Sequence, residues 1–206
     1  MIIMKRYISW SELYTFYEKG EQDYFRNYIL GIREPPSEPM IYGKIVHEAL
    51  ADDKYDWKKE LIKQGFTSDK ERITKKILAE VPRCRKREVG IYVDTDDGFQ
   101  IYMGLDGVDN NFLTEFKTGQ IWTKERADEH KQITMYTLAW FIQFGVIMPF
   151  RLITISSTTG KHKILWTERT PQQLNDMMNK LKQFKAELEA LNWWLAKVKM
   201  DERIEL

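Results

Sequence analysis

The chain has 206 residues, of which 43% are hydrophobic, a size and composition that fit one domain or one domain with a helical extension. Its 32 lysines and arginines and 31 acidic residues leave a net charge of +1, so any nucleic-acid site must be a local basic patch. The single cysteine excludes a disulfide framework, a four-thiolate zinc site and an intrachain iron–sulfur cluster.

The N-terminal decapeptide MIIMKRYISW lacks the apolar core of a secretory signal. No hydrophobic run approaches the length of a membrane span. We therefore expect a soluble, cytoplasmic protein with no membrane partner.

Residues 1–81 are predicted to be mainly helical. Ser9 and Glu12 match a capping box, in which each side chain satisfies a backbone amide near the other, and Ser68 begins a second such pattern. The segment PPSEP (35–39) breaks the helical pattern and indicates a rigid connector. The predicted helices run over 10–20, 21–31, 40–52 and 68–81.

Residues 82–170 change to the two-residue period of β-strands. Three alternating segments form a predicted antiparallel meander, and two more form a hairpin about Thr159 and Gly160. The predicted strands run over 87–94, 99–109, 112–119, 151–158 and 161–168. One helix is predicted over 123–145, between the meander and the hairpin, and a last helix fills residues 171–206 from Pro171.

This order predicts a single α/β domain with a central mixed sheet flanked by helices and an N-terminal helical cap. The charged residues that could carry chemistry lie in the hairpin formed by the second and third strands of the meander. A two-residue turn at Asn110 and Asn111 sets Asp106 directly opposite Glu115, although facing carboxylates destabilise a strand pair. Lys117 projects from the same face of its strand as Glu115.

Two interpretations of these charges remain open. In one, they form a solvated face on which Lys117 partly neutralises the two acids. In the other, a divalent cation lies between Asp106 and Glu115, because Mg²⁺ prefers carboxylate oxygens and meets substrate phosphates at its other positions. Lys117 is then free to orient a water molecule or to stabilise charge on a phosphate.

The segments GLDGVD and TEFKTG resemble the core of the PD-(D/E)XK nuclease superfamily, in which an acid on one strand and an acid-x-lysine on the next hold a catalytic metal ion. YGKIVHEAL resembles the G-x-x-x-H helix of the RecB-like branch, and HKQITMYTLAW resembles its Q-x-x-x-Y helix. These motifs follow one another in the family order between residues 43 and 136. The resemblance implies a restriction-endonuclease-like core.

The resemblance assigns a role to each matching residue. It implies that Mg²⁺ or Mn²⁺ is held by the side chains of His47, Asp106 and Glu115 and by the main-chain carbonyl of Phe116, and that Lys117 assists the attack of water on phosphorus. From the residues alone, His47 fits a buried core histidine equally well. Gln132 and Tyr136 lie on one face of their helix, and the resemblance implies that they contact a phosphate or the other catalytic side chains. From the residues alone, an ordinary boundary position between core and surface is preferred.

The chain departs from many RecB-like nucleases, including most CRISPR-associated adaptation nucleases, because it lacks their iron–sulfur cysteines. We expect no cluster, and we expect the aromatic first helices and the final helix to replace it by packing. A viral or otherwise divergent relative fits this pattern better. No G-x-x-x-x-G-K-[ST] motif is present, so no ATP-driven motor is predicted.

The sequence also predicts roles for residues around this hairpin. Glu88 lies where the branch often has another acid, whereas Asp109 is expected to cap the turn and His130 to lie at the surface. The basic segment RCRKRE enters the sheet beside the predicted metal site. We expect its cations to contact nucleic acid: Arg83, Arg85, Lys86 and Arg87.

The resulting hypothesis is a metal-dependent DNA nuclease that acts as an exonuclease or on single strands, with single-stranded DNA or free DNA ends as its partner. A catalytically silent nucleic-acid-binding or scaffolding relative is the alternative, disfavoured because a scaffold has no use for opposed acids. A hydrolase of small phosphoesters is a third hypothesis, disfavoured by the basic segment and the Gln132–Tyr136 helix.

Overall fold

A computed structural model describes residues 7–201, with side chains described up to residue 191. Within this range, six strands form one mixed sheet in the order β1-β3-β4-β5-β6, and β2 pairs with the other edge of β3. The strands are β1 (Tyr7–Ser9), β2 (Lys86–Asp94), β3 (Gln100–Val108), β4 (Leu113–Gly119), β5 (Phe150–Ser156) and β6 (His162–Thr167).

Helices flank the sheet, as the sequence predicts. They are α1 (Trp10–Tyr14), α2 (Glu21–Tyr24), α3 (Glu38–Ala51), α4 (Trp57–Lys63), α5 (Ser68–Glu80), α6 (Lys124–Asp128), α7 (Lys131–Phe144) and α8 (Pro171–Asp201). The first two helices each continue into a π-helical turn, over Thr15–Lys19 and Phe25–Ile29. None of the described helices has the length and apolar character needed to cross a membrane.

The meander has the predicted register. Gly107 pairs with Thr114 and Val108 with Leu113, which makes Asp106 and Glu115 the next facing residues along the hairpin. The later hairpin joins β5 and β6 as predicted, and β5 runs parallel to β4 after the crossover through α6 and α7. The prediction missed β1, because a three-residue strand that pairs only with distant β3 leaves no local pattern.

Two hydrophobic cores cover the two sides of the sheet. One core packs the first helices, α7 and α8 against residues such as Ile101, Met103 and Leu113. The other core packs α3 and α5 against Phe116 and Ile153. Because α3 and α7 are held by different cores, they approach β4 from different sides.

The capping box at Ser9 is confirmed, since Ser9 and Glu12 satisfy one another's backbone amides. The second predicted capping box is wrong. Thr67 is the N-cap residue of α5 and makes no side-chain capping hydrogen bond, so Ser68 is the first helical residue. Pro39 lies in the first turn of α3, where a missing amide costs nothing. The last two residues of the predicted connector (35–39) therefore belong to this helix.

The helix predicted over 123–145 is in fact two helices, because α6 ends at Asp128 and α7 begins at Lys131. Arg169 is buried beside this break and donates to the carbonyls of Ala127 (3.1 Å) and His130 (3.2 Å). It also donates to the Thr134 hydroxyl at 2.7 Å. These bonds add to the backbone hydrogen bonds that the same two carbonyls accept from His130 and Thr134, so Arg169 ties the end of α6 to the start of α7.

Aromatic contacts join the first helices to α8. Phe184 of α8 is fully buried and makes edge contacts with Phe16 and Tyr24, with ring centroids 5.1 and 5.8 Å apart. Tyr24 stacks on Tyr28 at 5.2 Å. This aromatic cluster provides the packing that the sequence predicts between the two ends of the chain; Trp193 and Trp194 lie outside the described side chains.

Candidate active site

The candidate site lies in a fork between β3 and β4. On one edge of β3, residues 100–102 pair with β1 and residues 107–108 pair with β4, while β2 covers the opposite edge along its length. Residues 103–106 therefore face a gap between the two ladders, and Asp106 lies where β3 and β4 separate. The fork follows from the short β1 strand and from the two-pair ladder of the hairpin.

Asp106 bridges the fork through its carboxylate. Its Oδ2 atom accepts a hydrogen bond of 2.7 Å from the backbone amide of Phe116 on β4. Its Oδ1 atom lies 3.5 Å from Nδ1 of His47, which α3 brings to the fork. The G-x-x-x-H helix and the first acid of the predicted motif thus meet in the structure.

Glu115 is the most deeply buried acid of the site, with 4% of its surface exposed. Its Oε1 atom accepts a hydrogen bond of 2.7 Å from Nζ of Lys117. Its Oε2 atom is buried and has no hydrogen-bond partner in the described part of the chain. An unpaired carboxylate oxygen in the interior is costly, so this atom marks a position for a ligand.

Lys117 connects the acids to α7. Its Nζ atom donates to Oε1 of Gln132 at 2.7 Å, and Nε2 of Gln132 donates to the Tyr136 hydroxyl at 3.0 Å. Burial raises the pKa of Tyr136 and the charge of Glu115 adds to the rise, although the hydrogen bond from Gln132 opposes it. Helix α7, which carries the Q-x-x-x-Y motif, therefore holds Lys117 in position through Gln132.

The pKa values of the two acids of the fork are shifted in opposite directions. Burial raises the pKa of Glu115 to about 7, because the effect of Lys117 only partly offsets the loss of water and the charge of Asp106 raises it further. Burial also acts on Asp106, but the hydrogen bond and charge of His47 outweigh it and lower the pKa of that carboxyl. The same pair raises the pKa of His47 against the effect of burial.

The donor set fits a hard divalent cation. Within the described side chains, no three histidine, cysteine, aspartate or glutamate groups lie close enough together to hold a metal ion as they stand. Asp106 is instead paired with His47, and Glu115 with Lys117. The unpartnered Oε2 atom of buried Glu115 is the observation that supports the fit, since carboxylate oxygens are the ligands that Mg²⁺ and Mn²⁺ accept.

Glu88 lies beside this group, on β2 opposite the position of Asp106. Its φ angle of +47° places a non-glycine residue in the left-handed region, which is a source of local strain. Although Glu88 is exposed, partial loss of water raises the pKa of its carboxyl, and the nearby charges of Glu48 and Asp106 add to the rise. The predicted extra acid is therefore close to the site, and Glu48 is an acidic neighbour that the sequence interpretation missed.

The basic segment divides into different environments. Arg83 and Arg87 donate to carbonyls at the C-terminal end of α3 and pair with Asp53, so they hold that helix end. Arg85 bonds to Asn110 at 2.6 Å and thereby fastens the hairpin turn. Lys86 is exposed. Their predicted contact with nucleic acid remains a prediction.

The turn and the helix break provide two further outcomes. The carboxylate of Asp109 accepts a hydrogen bond from the Arg85 amide at 3.1 Å and forms an ion pair of 3.2 Å with Arg151, so these contacts lie outside the turn that the residue is predicted to cap. His130 is not a surface residue, because it is partly buried against Trp122 with ring centroids 4.8 Å apart. Burial and the charge of Lys117 lower the pKa of His130 to about 3.

Comparisons with known proteins identify the fold. The chain matches no protein-family model and no curated protein sequence. Among solved structures, it is similar to a candidate exonuclease from Eubacterium rectale, with a TM-score of 0.65 and 15% identity over 88% of this chain and 79% of that one.

An alkaline exonuclease from Laribacter hongkongensis is a second structural neighbour. It has a TM-score of 0.51 and 16% identity, and the match covers 92% of this chain and 91% of the enzyme. The same enzyme in complex with dAMP matches at 0.51 and 15%, over 91% and 90% of the two chains. The chain therefore has the α/β fold of these exonucleases.

Proposed function

We propose that this protein is a metal-dependent deoxyribonuclease of the RecB-like PD-(D/E)XK type. The observation that carries the proposal is the buried Glu115 carboxylate, whose Oε2 atom lacks a partner in the described chain while Lys117 holds its other oxygen. The motif residues that the fold brings to the fork support the same chemistry. The structural neighbours that are exonucleases, one of them in complex with dAMP, support a deoxynucleotide substrate.

In this proposal, Asp106, Glu115, His47 and the Phe116 carbonyl would hold Mg²⁺ or Mn²⁺. The chemistry that such a cation supplies is polarisation of the scissile phosphate and a lower pKa for the attacking water. Asp106 is already oriented by the Phe116 amide, so its carboxylate needs little rearrangement to bind. Glu115 must be ionised to bind, which its pKa of about 7 permits at neutral and alkaline pH.

Lys117 is proposed to stabilise the negative charge that develops on the phosphate during attack. Gln132 holds its Nζ atom and is itself held by Tyr136, so the ammonium group is oriented before the substrate arrives. Preorganised donors of this kind typically contribute about 100- to 1,000-fold to the rate.

Cleavage of end-labelled single- and double-stranded DNA tests the proposal. The protein is assayed with Mg²⁺, Mn²⁺ or EDTA beside Lys117→Ala, Glu115→Gln and the control Lys182→Ala, whose exposed side chain pairs with Asp97. We expect metal-dependent cleavage that falls by about 100-fold or more in the first two variants and is unchanged in the control.

The other outcomes are equally informative. Equal cleavage by Lys117→Ala and the unchanged protein would place the activity elsewhere and contradict the proposal. Bound but intact DNA with every metal would favour the non-catalytic alternative. Competition by a small phosphodiester as strong as that by DNA would favour a small-substrate hydrolase.

A further inference from the structure

The outward side of the β2–β3 hairpin carries an unusual sequence of residues beside the fork. Next to Asp106 along this side come the cross-strand pair Gly90 and Gly104 and then the pair Tyr92 and Tyr102. On β3 these residues alternate with side chains buried in the core. The hairpin therefore carries a pair of glycines next to the candidate site, followed by two aromatic residues.

Tyr7 of β1 completes a tyrosine cluster with Tyr92 and Tyr102. Ring centroids are 4.9 Å apart for Tyr92 and Tyr102, 5.1 Å for Tyr7 and Tyr92, and 5.8 Å for Tyr7 and Tyr102. Tyr92 remains 53% exposed despite these contacts. The cluster is thus a surface feature that offers aromatic area to a ligand.

The two glycines allow the Tyr102 ring to lie along the backbone. A Cβ atom on Gly90 would lie 3.2 Å from the Tyr102 hydroxyl oxygen, and one on Gly104 would lie 3.3 Å from it. Since Gly104 lies between Tyr102 and Asp106, the ring leans towards the fork. Glycine weakens a strand interior and is found where another group must approach the backbone closely.

We propose that the tyrosine cluster and the Gly90–Gly104 pair form a stacking platform for the bases of single-stranded nucleic acid at the candidate active site. The inference rests on the proposed nuclease function and specifies its substrate as an unpaired strand. Asp106 lies four residue steps after Tyr102 on β3, about 14 Å at 3.4 Å per step, and the leaning ring shortens this gap. A base stacked there therefore adjoins a phosphate held in the fork.

Single-stranded nucleic acid is the occupant that fits the chemistry of this surface. Every base has a π-face, so a tyrosine platform binds unpaired bases without sequence preference, whereas the faces of paired bases are covered by their neighbours. Stabilisation of the hairpin is enough to explain why Tyr102 packs over the glycines. It does not explain why Tyr92 is exposed at the outer end of the same cluster.

Equilibrium binding of a fluorescent oligothymidylate in EDTA tests the platform without cleavage. The matched variants are Tyr92→Leu, which removes the ring, and Tyr92→Phe, which keeps it. Phe144→Leu is the control, because Phe144 is an exposed aromatic at the far end of α7 from Gln132 and contacts Trp140 in a similar ring pair. We expect binding to weaken about five-fold or more in Tyr92→Leu alone.

Gly90→Ala supplies a second test that removes none of the three tyrosines. The added methyl group displaces the Tyr102 ring, so we expect weaker oligothymidylate binding with an unchanged circular dichroism spectrum. Wild-type affinity in both Tyr92→Leu and Gly90→Ala would overturn the platform. If those variants bind normally while the unchanged protein cleaves DNA, only the platform fails; if the unchanged protein neither binds nor cleaves DNA, the proposed function fails with it.

Discussion

At neutral pH the buried carboxyl of Glu115 is close to its own pKa of about 7. Compared with the unfolded chain, the folded protein favours the protonated form of Glu115, because burial removes water from the charged form and Lys117 compensates only in part. The unfolded chain has an ordinary glutamate pKa near 4.5. Folding and ionisation of Glu115 are therefore linked.

This linkage predicts the pH dependence of stability without metal. A raised pKa in the folded state contributes stability that is greatest below pH 4.5 and is lost as the pH rises through about 7. We expect the melting temperature of the metal-free protein, measured relative to Glu115→Gln, to fall over this interval. Added Mn²⁺ should restore the difference, more at pH 8 than at pH 6, because the ionised carboxylate binds the cation.

Parallel pH profiles for the two proteins would contradict this prediction. They would mean that Glu115 has the same pKa in the folded and unfolded chains. In that case its carboxylate in the folded protein would already be compensated without a metal ion. A Mn²⁺ effect of equal size in Glu115→Gln would place the cation at another site.

Much of the residue-scale chemistry could be predicted from the sequence. Local strand alternation and a two-residue turn were enough to place Asp106 opposite Glu115, because both lie in one hairpin. The unpaired Oε2 atom and the bond from Lys117 to Gln132 could not be predicted. Burial and hydrogen bonding at that point depend on α7, which comes from a later part of the chain.

The junction of α6 and α7 is the element that sets the position of Gln132. Arg169 follows β6 and reaches back to this junction, with its guanidinium satisfied by carbonyls and by the hydroxyls of Thr134 and Thr167. Burial lowers the pKa of Arg169. The side chain therefore acts as a buried clamp that positions the start of α7.

We predict that Arg169→Met destabilises the protein by about 3 kcal/mol, because it removes several buried hydrogen bonds from a charged donor. Chemical denaturation measures the change. Arg72→Met is the control, since Arg72 is an exposed arginine paired with Asp69, and it should change stability by less than about 0.5 kcal/mol. A loss no greater than that of the control would show that the clamp is dispensable.

The same junction shows where sequence patterns fail at the scale of elements. The periodicity across residues 123–145 is continuous, so it predicts one helix, and nothing local marks the break at Glu129 and His130. Arg169 creates the alternative from 39 residues away by binding the His130 carbonyl. For the same reason the partial burial of His130 was missed.

At the scale of the molecule, one sheet separates two cores, and the aromatic cluster about Phe184 ties α8 to the first helices. The domain prediction of a single unit over residues 1–206 can be tested by unfolding. We expect one transition in denaturant, with coincident curves from far-ultraviolet circular dichroism and tryptophan fluorescence. Two separated transitions would indicate more than one domain.

The same experiment tests the aromatic cluster. Phe184→Ala should lower the free energy of unfolding by about 3–5 kcal/mol, because it removes a fully buried ring between the two ends of the chain. Phe144→Ala, at a residue that is 48% exposed, should lower it by less than about 1 kcal/mol. Equal losses in the two variants would mean that the cluster contributes little to joining the chain ends.

The central claim is that a divalent cation binds in the β3–β4 fork. Anomalous scattering from a crystal of the protein soaked in Mn²⁺ tests it most directly. We expect one strong peak in contact with Glu115 and Asp106, absent from a soaked crystal of Glu115→Gln. A peak remote from both carboxylates, or one that persists unchanged in the variant, would contradict it.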